Sequence, residues 1–289
     1  MPLHSLPDLT TLPTTGPLFW KAALSSRRKP GESPEIPGNT VTLKNFALKS
    51  EHIAAYNKVC ELPEDTLAIT YPQVVAAPLH MHVMLQANFP LPLVGLVHLR
   101  NSIRQKALLS AGVPYDVRVQ VGESRRSKLG IEVDLLTDYL ADGEALWSAT
   151  TTVLHRIKAK ERGSKAAPSA PTAVVAQYQP FSVPADTGRR YAPVAQDYNP
   201  IHLYPITAKF LGFDRAIAHG MWSVARSLGL LLPAYGGTPA RLDIQFKQPL
   251  LLPGRVTLKH LRVGQGVDFE LLAREGGKSH LSGRLEGLV

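Results

Sequence analysis

Cysteine is almost absent from this 289-residue chain, which contains only Cys60. One thiol cannot form an internal disulfide framework, so the small disulfide-stapled secreted scaffolds are excluded. A single cysteine is typical of a chain that folds in a reducing compartment. We interpret Cys60 as a small buried hydrophobe rather than as a nucleophile.

Long hydrophobic runs are missing too. The most apolar stretch, residues 91–99, carries a histidine and is too short to cross a bilayer. The first residues contain neither the basic region nor the apolar core of a secretory signal. These features predict a cytoplasmic protein with no membrane span.

Acidic residues are outnumbered, with 23 Asp and Glu against 32 Lys and Arg, a formal charge of +9. Much of the excess lies in residues 155–165 and near the start, at Lys21, Arg27, Arg28 and Lys29. No aromatic residues interleave with these runs and no nucleic-acid motif appears, so no nucleic-acid partner is predicted. The runs are interpreted as solvated tails and linkers, or as a general attraction for phosphate-bearing small molecules or acidic carriers.

Four segments are predicted from composition and pattern. Residues 1–45, with repeated Pro, Thr and Ser, are interpreted as an irregular N-terminal arm. Residues 158–177 mix Lys, Ser, Ala and Pro without hydrophobic periodicity, which indicates a linker. The remaining ranges, 46–157 and 178–289, are predicted to be two related domains.

Short matches in the same order support this duplication. The segment "FALKSEHIAAYNKVC" from residue 46 aligns with "FSVPADTGRRYAPVA" from residue 181, and "LRNSIRQKALL" from 99 aligns with "LDIQFKQPLLL" from 242. The segment "GIEVDLL" from 130 matches "GVDFELL" from 266. Each match is weak alone, but their shared order and nearly constant separation indicate an internal repeat. Paired residues include Phe46 with Phe181, Tyr56 with Tyr191, Leu99 with Leu242 and Gln105 with Gln248.

The second range shows the pattern of one fold unit. Residues 219–233 are apolar on most faces, which predicts a buried helix that ends at Pro233. Four segments with alternating hydrophobicity and glycine-bearing turns follow, and they predict an antiparallel meander. A buried helix against a curved antiparallel sheet, made twice, is an α+β architecture.

The segment "DYNPIHLYPITAKFLGFDRAIAHGM", residues 197–221, resembles the hydratase motif of the MaoC-like, R-specific enoyl-CoA hydratases, which have a hotdog fold. The shared positions are Asp197, Asn199, Pro200, His202, Pro205, Ala208, Gly212, Phe213 and the run from Ala218 to Met221. The resemblance implies a double hotdog with a catalytic C-terminal half. One departure is Gln196, where family members usually have Gly. The fine geometry of the turn is therefore expected to follow the family less closely.

The first range departs completely from that motif. Leu62 falls where Asp197 lies, and no Asn-Pro-x-x-His follows it. We therefore expect residues 46–157 to be a degenerate hotdog without chemistry. Its helical segment, residues 78–93, is interrupted by Pro90 and Pro92. By resemblance to double-hotdog hydratases, a helix shortened in this way leaves room for a substrate acyl chain.

By the same resemblance, Asp197 and His202 are the catalytic pair. Adding water to an enoyl thioester needs a base for water, an acid that protonates C2 and a dipole for the enolate oxygen. Ordinary pKa values of about 4 and about 6.5 suit Asp and His to the proton steps. The sequence leaves open which of the two removes the first proton.

Further residues have structural and functional interpretations side by side. Asn199 before Pro200 is typical of a helix N-cap followed by proline, with a catalytic positioning role in addition. Gly220 is predicted to open the buried helix, either beside an enolate oxygen or through tight packing on the sheet. His219 is a candidate substrate-binding residue or the donor of a structural hydrogen bond.

Arg104 and Lys247 occupy equivalent places in the aligned repeats, beside the paired glutamines. They are candidates for contact with the phosphates of a pantetheine carrier, or else solvated strand ends. His80 and His82 lack accompanying ligands, so no metal site is predicted. The proposed chemistry also needs no organic cofactor.

The function predicted from these features is that of a hydro-lyase, the reversible hydration of trans-2-enoyl-CoA to (R)-3-hydroxyacyl-CoA. Alternatives are a 3-hydroxyacyl-ACP or branched dicarboxylyl-CoA dehydratase, a hotdog thioesterase, and a non-catalytic acyl-binding subunit. The expected partner is an acyl-CoA or acyl-ACP thioester. Two hotdogs in one chain already form the minimal pair, so a monomer or a homodimer is expected.

Overall fold

The computed structural model describes residues 3–31, 34–157, 176–236, 238–273 and 277–287. Within them, eleven strands form one continuous sheet in the order β1-β2-β4-β5-β6-β3-β8-β11-β10-β9-β7. Most of the predicted linker lies outside the described residues. All strand pairs are antiparallel except β1 with β2.

The first part of the chain supplies these elements: β1 Leu3–Ser5, α1 Thr15–Ser25, β2 Gly38–Ala47, α2 Ser50–Cys60, α3 Tyr71–Val75, α4 Ala77–Met84, β3 Leu96–Gln105, β4 Pro114–Ser127, β5 Gly130–Ala141 and β6 Glu144–Arg156. The second part supplies these: β7 Gln177–Val183, α5 Thr187–Ala195, α6 Pro200–Leu203, α7 Pro205–Phe210, α8 Gly220–Tyr235, β8 Arg241–Phe246, β9 Gly254–Val263, β10 Gly266–Ala273 and β11 Ser279–Glu286.

The two parts repeat one topology. From its outer edge inward the first half of the sheet runs β2-β4-β5-β6-β3, and the second runs β7-β9-β10-β11-β8. In each set the first strand along the chain pairs with the third, and helices separate the first strand from the second. The four segments with alternating hydrophobicity that follow the buried helix are β8 to β11. Only β9, β10 and β11 form the predicted meander, because β8 lies between β11 and β3 and does not pair with β9.

The halves meet at β3 and β8. These strands pair antiparallel, with Asn101 opposite Ile244 and Ile103 opposite Leu242. They are also the strands that the weak sequence match joins. A hydrophobic core runs through both halves of the sheet without interruption.

The buried helix of the second half is α8. Its buried side chains include Trp222, Val224 and Leu228, as the all-round apolar pattern predicts. The prediction that Pro233 ends this helix is wrong, because the helix continues to Tyr235. Proline in a last turn removes only one hydrogen bond, and Gly236 (φ 68°) then ends the helix.

The corresponding helix of the first half is short and broken. It consists of α3 and α4, and α4 ends at Met84, before Pro90. A second cause of this ending comes from the N-terminal arm. The Arg28 guanidinium donates to the carbonyl oxygens of Met84 (2.9 Å), Leu85 (3.1 Å), Gln86 (2.9 Å) and Leu91 (3.2 Å). Arg28 thus caps the C-terminal end of α4.

The arm therefore departs from the prediction in two respects. Residues 1–45 are not irregular throughout, because they contain β1, α1 and the start of β2. Helix α1 forms since Leu18, Ala22 and Ser25, at helical spacing, bury one face. The interpretation of Arg28 as part of a solvated tail is wrong, because its charge serves the backbone of α4. In the described part of the chain, no helix has the length and apolar character needed to cross a membrane.

Candidate active site

The segment 196–205 begins with a left-handed turn. Helix α5 ends at Ala195, and Gln196 has φ 50° and ψ 29°. This conformation favours glycine, which explains why a glycine at this position suits relatives of the motif. Gln196 adopts it nonetheless, and the Asp197 N–H donates to the carbonyl oxygen of Ala192 (3.2 Å). The departure in sequence leaves the turn intact.

Asp197 and Asn199 form the next part of the turn. The Asn199 N–H donates to Asp197 Oδ1 (3.1 Å), and Asn199 Oδ1 accepts from the Ile201 N–H (3.4 Å). Asn199 is the N-cap of α6 and Pro200 its first residue, as the local pattern predicts. Holding Oδ1 in this way directs the other carboxylate oxygen, Oδ2, toward the histidines.

His202 is oriented by backbone groups. Its Nδ1–H donates to the carbonyl oxygen of Ile217 (2.8 Å), because a carbonyl can only accept. The Ile217 N–H in turn donates to the Ile201 carbonyl oxygen (3.0 Å). These two bonds tie α6 to residues 216–218 and leave the lone pair of Nε2 facing Asp197 in the neutral ring.

The two groups are spaced for one water molecule. His202 Nε2 lies 4.0 Å from Asp197 Oδ2, beyond direct hydrogen-bond distance. A water about 2.8 Å from both atoms would see them at an angle of roughly 90°, which hydrogen bonding accommodates. The Asp197 side chain is 40% exposed and that of His202 is 10% exposed. Solvent or substrate can therefore reach the carboxylate, while the imidazole is held within the protein.

His219 supports this arrangement from behind. Its Nε2–H donates to the Asp197 carbonyl oxygen (3.0 Å), and its ring stacks on His202 with centroids 3.8 Å apart. Burial and, to a smaller extent, the nearby His202 lower the pKa of His219 to about 3, although Asp197 opposes both effects. His219 is therefore neutral at physiological pH. Among the described residues its Nδ1 has no hydrogen-bond partner.

Asp197, His202 and His219 together resemble a metal-ligand set, because one potential donor atom of each lies within 4.8 Å of the others. Ring orientation argues against a ready-made site. The two imidazole planes are only 27° from parallel and are stacked, so their in-plane lone pairs do not converge on one point. The cluster is better arranged for proton transfer than for coordination.

Gly220 opens α8 next to this cluster, with His219 as the N-cap. A Cβ at Gly220 would lie 2.8 Å from Cε1 of Phe246, so the glycine permits close packing against the end of β8. The first N–H groups of a helix have no partner within that helix, and they stabilise negative charge. Packing and oxyanion stabilisation are therefore compatible roles for this glycine.

The two basic candidates lie on or beside the central strand pair. Arg104 is exposed within β3, opposite Arg241 in the strand register. Lys247 follows the last residue of β8 and pairs with Glu270 (2.9 Å). The alignment of repeats thus places them differently relative to their strands, and contact with a phosphate remains a prediction for both. His80 is buried with Nε2 2.7 Å from Thr137 Oγ1, a structural contact.

Sequence reasoning missed two supports of the site. A Cβ at Gly188, in α5, would lie 1.9 Å from the His202 carbonyl oxygen, so only glycine lets α5 and α6 approach. Tyr191, identified from the sequence only as a repeat match, is buried with its ring 5.0 Å from that of His219. No motif signals Gly188, whereas the pairing of Tyr56 with Tyr191 indicated an interior position.

Comparisons with known proteins identify the family to which the chain is similar. Residues 165–283 match the family model described as a MaoC like domain. The 3-hydroxyacyl-thioester dehydratase X of Mycobacterium tuberculosis is 30% identical over 261 residues, covering 88% of this chain and 91% of the relative. An (R)-specific enoyl-CoA hydratase of Aeromonas caviae is 36% identical over 70 residues, 23% of this chain and 52% of the relative.

Solved structures give the same result for the fold. The crystal structure of HtdX of Mycobacterium tuberculosis has a TM-score of 0.73 at 30% identity and matches 86% of this chain and 100% of that one. A MaoC-like dehydratase from Phytophthora capsici has a TM-score of 0.72 at 16% identity, with 86% and 95% covered. The predicted α+β double-hotdog architecture is confirmed.

Proposed function

We propose that this chain, which belongs to the MaoC-like dehydratase family, catalyses the reversible hydration of trans-2-enoyl thioesters to (R)-3-hydroxyacyl thioesters. The observation that carries the proposal is the separation of 4.0 Å between Asp197 Oδ2 and His202 Nε2. The other carboxylate oxygen, Oδ1, and the other ring nitrogen, Nδ1, each make a hydrogen bond that fixes the direction of these two atoms. This arrangement suits two groups that act on one water molecule.

The reaction follows from that geometry. One member of the pair removes a proton from the water while the water oxygen bonds to C3 of the enoyl group. The electrons of the double bond move to the thioester oxygen, where the first N–H groups of α8 at Gly220 stabilise the charge. A proton delivered to C2 restores the carbonyl. The reverse sequence eliminates water, so the site performs hydration and dehydration alike.

His219 and Asn199 act through Asp197. His219 donates to its carbonyl oxygen, and the Asn199 backbone N–H holds Oδ1, so both fix the carboxylate without touching the reacting atoms. They are positioning residues. Asp197, His202 and Gly220 all belong to one chain, so a single copy supplies these three groups. CoA is the proposed carrier, with an acyl carrier protein as the alternative outcome of the same assay.

Hydration of crotonyl-CoA and octenoyl-CoA tests the proposal. The wild-type protein should hydrate at least one of them to the (R)-product, and Asp197→Asn should lower kcat/KM roughly 10²–10⁴-fold with the thermal transition retained. Asp214→Asn, at an exposed position of the same segment, should match the wild type. An inactive wild type would refute the lyase assignment, and release of free CoA thiol without hydration would indicate a thioesterase.

A further inference from the structure

A group of buried and partly buried polar side chains lies inside the first half, in a region that would be hydrocarbon in an ordinary core. Its members are Gln73 on α3, His98 and Asn101 on β3, and Thr151 on β6, named here the amide cluster. Gln73, Asn101 and Thr151 are 4%, 1% and 3% exposed. Polar groups buried so deeply are costly unless every hydrogen-bonding atom is paired.

Hydrogen bonds within the cluster do not pair all of its polar atoms. Thr151 Oγ1 accepts from Gln73 Nε2 (2.6 Å) and from Asn101 Nδ2 (3.0 Å), and Asn101 Nδ2 also lies 3.3 Å from His98 Nε2. Gln73 Oε1 and Asn101 Oδ1 remain without partners among the described residues. Exchanging the oxygen and nitrogen of Gln73 would pair its oxygen with the Thr151 hydroxyl but would leave its NH₂ unpaired. Either orientation leaves hydrogen-bonding capacity unused.

The cluster adjoins the candidate active site. The position of a Cβ at Gly220 is 2.8 Å from the Phe246 ring, and that ring lies 4.6 Å from the His98 ring between centroids. Asn101 is opposite Ile244 in the central strand pair, two residues from Phe246. Phe246 and His98 both retain exposed surface. An acyl chain that started at Gly220 and entered the first half would meet these rings before the buried amides.

From this juxtaposition we propose that the acyl group of the substrate carries an uncharged hydrogen-bond donor, a hydroxyl, which donates to Gln73 Oε1 or Asn101 Oδ1. This inference rests on the proposed function for the placement of the thioester. It adds a specificity for the distal part of the chain, which the reaction itself does not require. A plain alkyl chain would leave both amides unpaired, and a site built for a polar group disfavours such an analogue.

The character of the cluster favours an uncharged group over a carboxylate. The side chains of Gln73, Asn101 and Thr151 carry no charge. Burial lowers the pKa of His98 to about 4, although a hydrogen bond to the backbone of Arg100 opposes this shift. His98 is therefore neutral at physiological pH. A buried carboxylate would have no cation of the cluster beside it and would be poorly stabilised.

Isothermal titration with acyl-CoA pairs tests the inference. Hexanoyl-, octanoyl- and decanoyl-CoA are each compared with the same acyl-CoA that carries a terminal hydroxyl. For at least one length, the wild-type protein should bind the hydroxylated form roughly tenfold to 100-fold more tightly, because an unpaired buried amide costs about that much. Equal affinity at every length would overturn the inference and would indicate that solvent alone fills the cluster.

Variants locate the preference. Gln73→Met and Thr151→Val should abolish or reverse it. Gln105→Met is the matched control, because Gln105 is also buried on β3 with an unpaired Oε1, but it donates to Pro239 outside the cluster. A preference that survives in both cluster variants would contradict the assignment, and so would a preference that is lost in the control. If Gln73→Met does not fold, the milder variant Thr151→Val decides.

Binding and turnover separate the two proposals. Hydration without any preference for the hydroxylated chain would refute the inference and leave the proposed function standing. A binding preference without hydration of any enoyl-CoA would support the polar acyl site and refute the lyase assignment.

Discussion

The same helix ending occurs in both halves and serves different purposes. Helix α2 ends at Cys60 and is capped by Glu61 with φ 53° and ψ 44°, and α5 ends at Ala195 and is capped by Gln196 with φ 50° and ψ 29°. The next residue is Leu62 in the first half, which is buried in the core, and Asp197 in the second, which is 40% exposed at its side chain. One backbone turn therefore buries a leucine on one side and presents a carboxylate on the other.

The segments after the two turns differ in the same sense. In the first half the Asn57 side chain donates to the carbonyl oxygens of Pro63 (3.1 Å), Glu64 (3.0 Å) and Thr66 (2.7 Å), which closes the loop. In the second half a proline-started helix carries His202 toward Asp197. Since the fold persists in the first half without Asp, Asn and His, it does not require them. Their presence in the second half is better explained by chemistry.

The close approach of α5 to α6 exists only in the second half, and Gly188→Ala would break it. The added Cβ would meet the His202 carbonyl oxygen, so α6 must shift. We expect a loss of about 3 kcal/mol of unfolding free energy, at the upper end for overpacking, together with a fall in hydration activity. Gly16→Ala in α1, with nothing within 4 Å of the new Cβ, is the matched control; it should leave activity unchanged and should not lower stability, because alanine favours the helix. A stable and fully active Gly188→Ala would contradict the described packing.

The capping of a helix end by an arginine, Arg28 at the end of α4, belongs to the first half. Arg28→Met removes four hydrogen bonds to the end of α4 and to Leu91. We expect about 2 kcal/mol of destabilisation in urea unfolding, because the freed carbonyl groups regain water only in part. The exposed neighbour Arg27 provides the control, and Arg27→Met should unfold as the wild type does. Equal stability of the two variants would show that the arm does not hold α4.

Buried histidines make both halves sensitive to acid. The pKa of His80 is lowered to about 3 and that of His98 to about 4, mainly by burial, as for His219. The unfolded chain, with histidine pKa values near 6.5, binds more protons than the folded chain, so stability is lost as the pH falls from about 6.5 toward 3. Each buried histidine contributes a slope of up to about 1.4 kcal/mol per pH unit in that window.

His219→Asn should reduce this slope by about one histidine's share, measured by denaturant unfolding at several pH values. His4→Asn, at an exposed position, should leave the slope unchanged. An unaltered slope in His219→Asn would mean that the imidazole is not held neutral by burial.

The paired turns can be compared directly. Gln196→Gly should raise the unfolding free energy by about 1 kcal/mol, because glycine adopts the left-handed conformation without a Cβ penalty. Glu61→Gly should gain less, because Glu61 also pairs with Arg226 (2.8 Å) and that contact is lost. Hydration activity of Gln196→Gly should remain near the wild-type value. A loss of stability in Gln196→Gly would show that the glutamine side chain contributes more than its backbone costs.

Much of this was predictable from local chemistry. Alternating hydrophobicity in β8 to β11, the apolar helix α8 and the Asn199–Pro200 cap each reflect a preference that acts over a few residues. The repeat matches identified β3 and β8 as equivalent segments, although they did not predict the order of the strands in the sheet. The site pair Asp197 and His202 followed from resemblance, and the structure adds the hydrogen bonds that orient them.

Features that could not be predicted depend on contacts between distant segments. Helix α1 forms in a segment rich in Pro and Thr because α4 covers its apolar face. Arg28 caps α4 only because the carbonyl groups at the end of that helix lie within hydrogen-bond distance of its guanidinium group. The Ile217 carbonyl oxygen that fixes His202 is a backbone atom, and no side-chain pattern identifies it. The unpaired amides of Gln73 and Asn101 become apparent only when their neighbours are known.

Asp197 and His202 are proposed to act on one water molecule. A double-mutant cycle on kcat/KM, with Asp197→Asn, His202→Asn and both together, tests this proposal most directly. Groups that work as a unit are strongly non-additive, so the double variant should be about as impaired as the worse single variant. Losses that multiply in the double variant would show that the two residues act independently and would contradict the account.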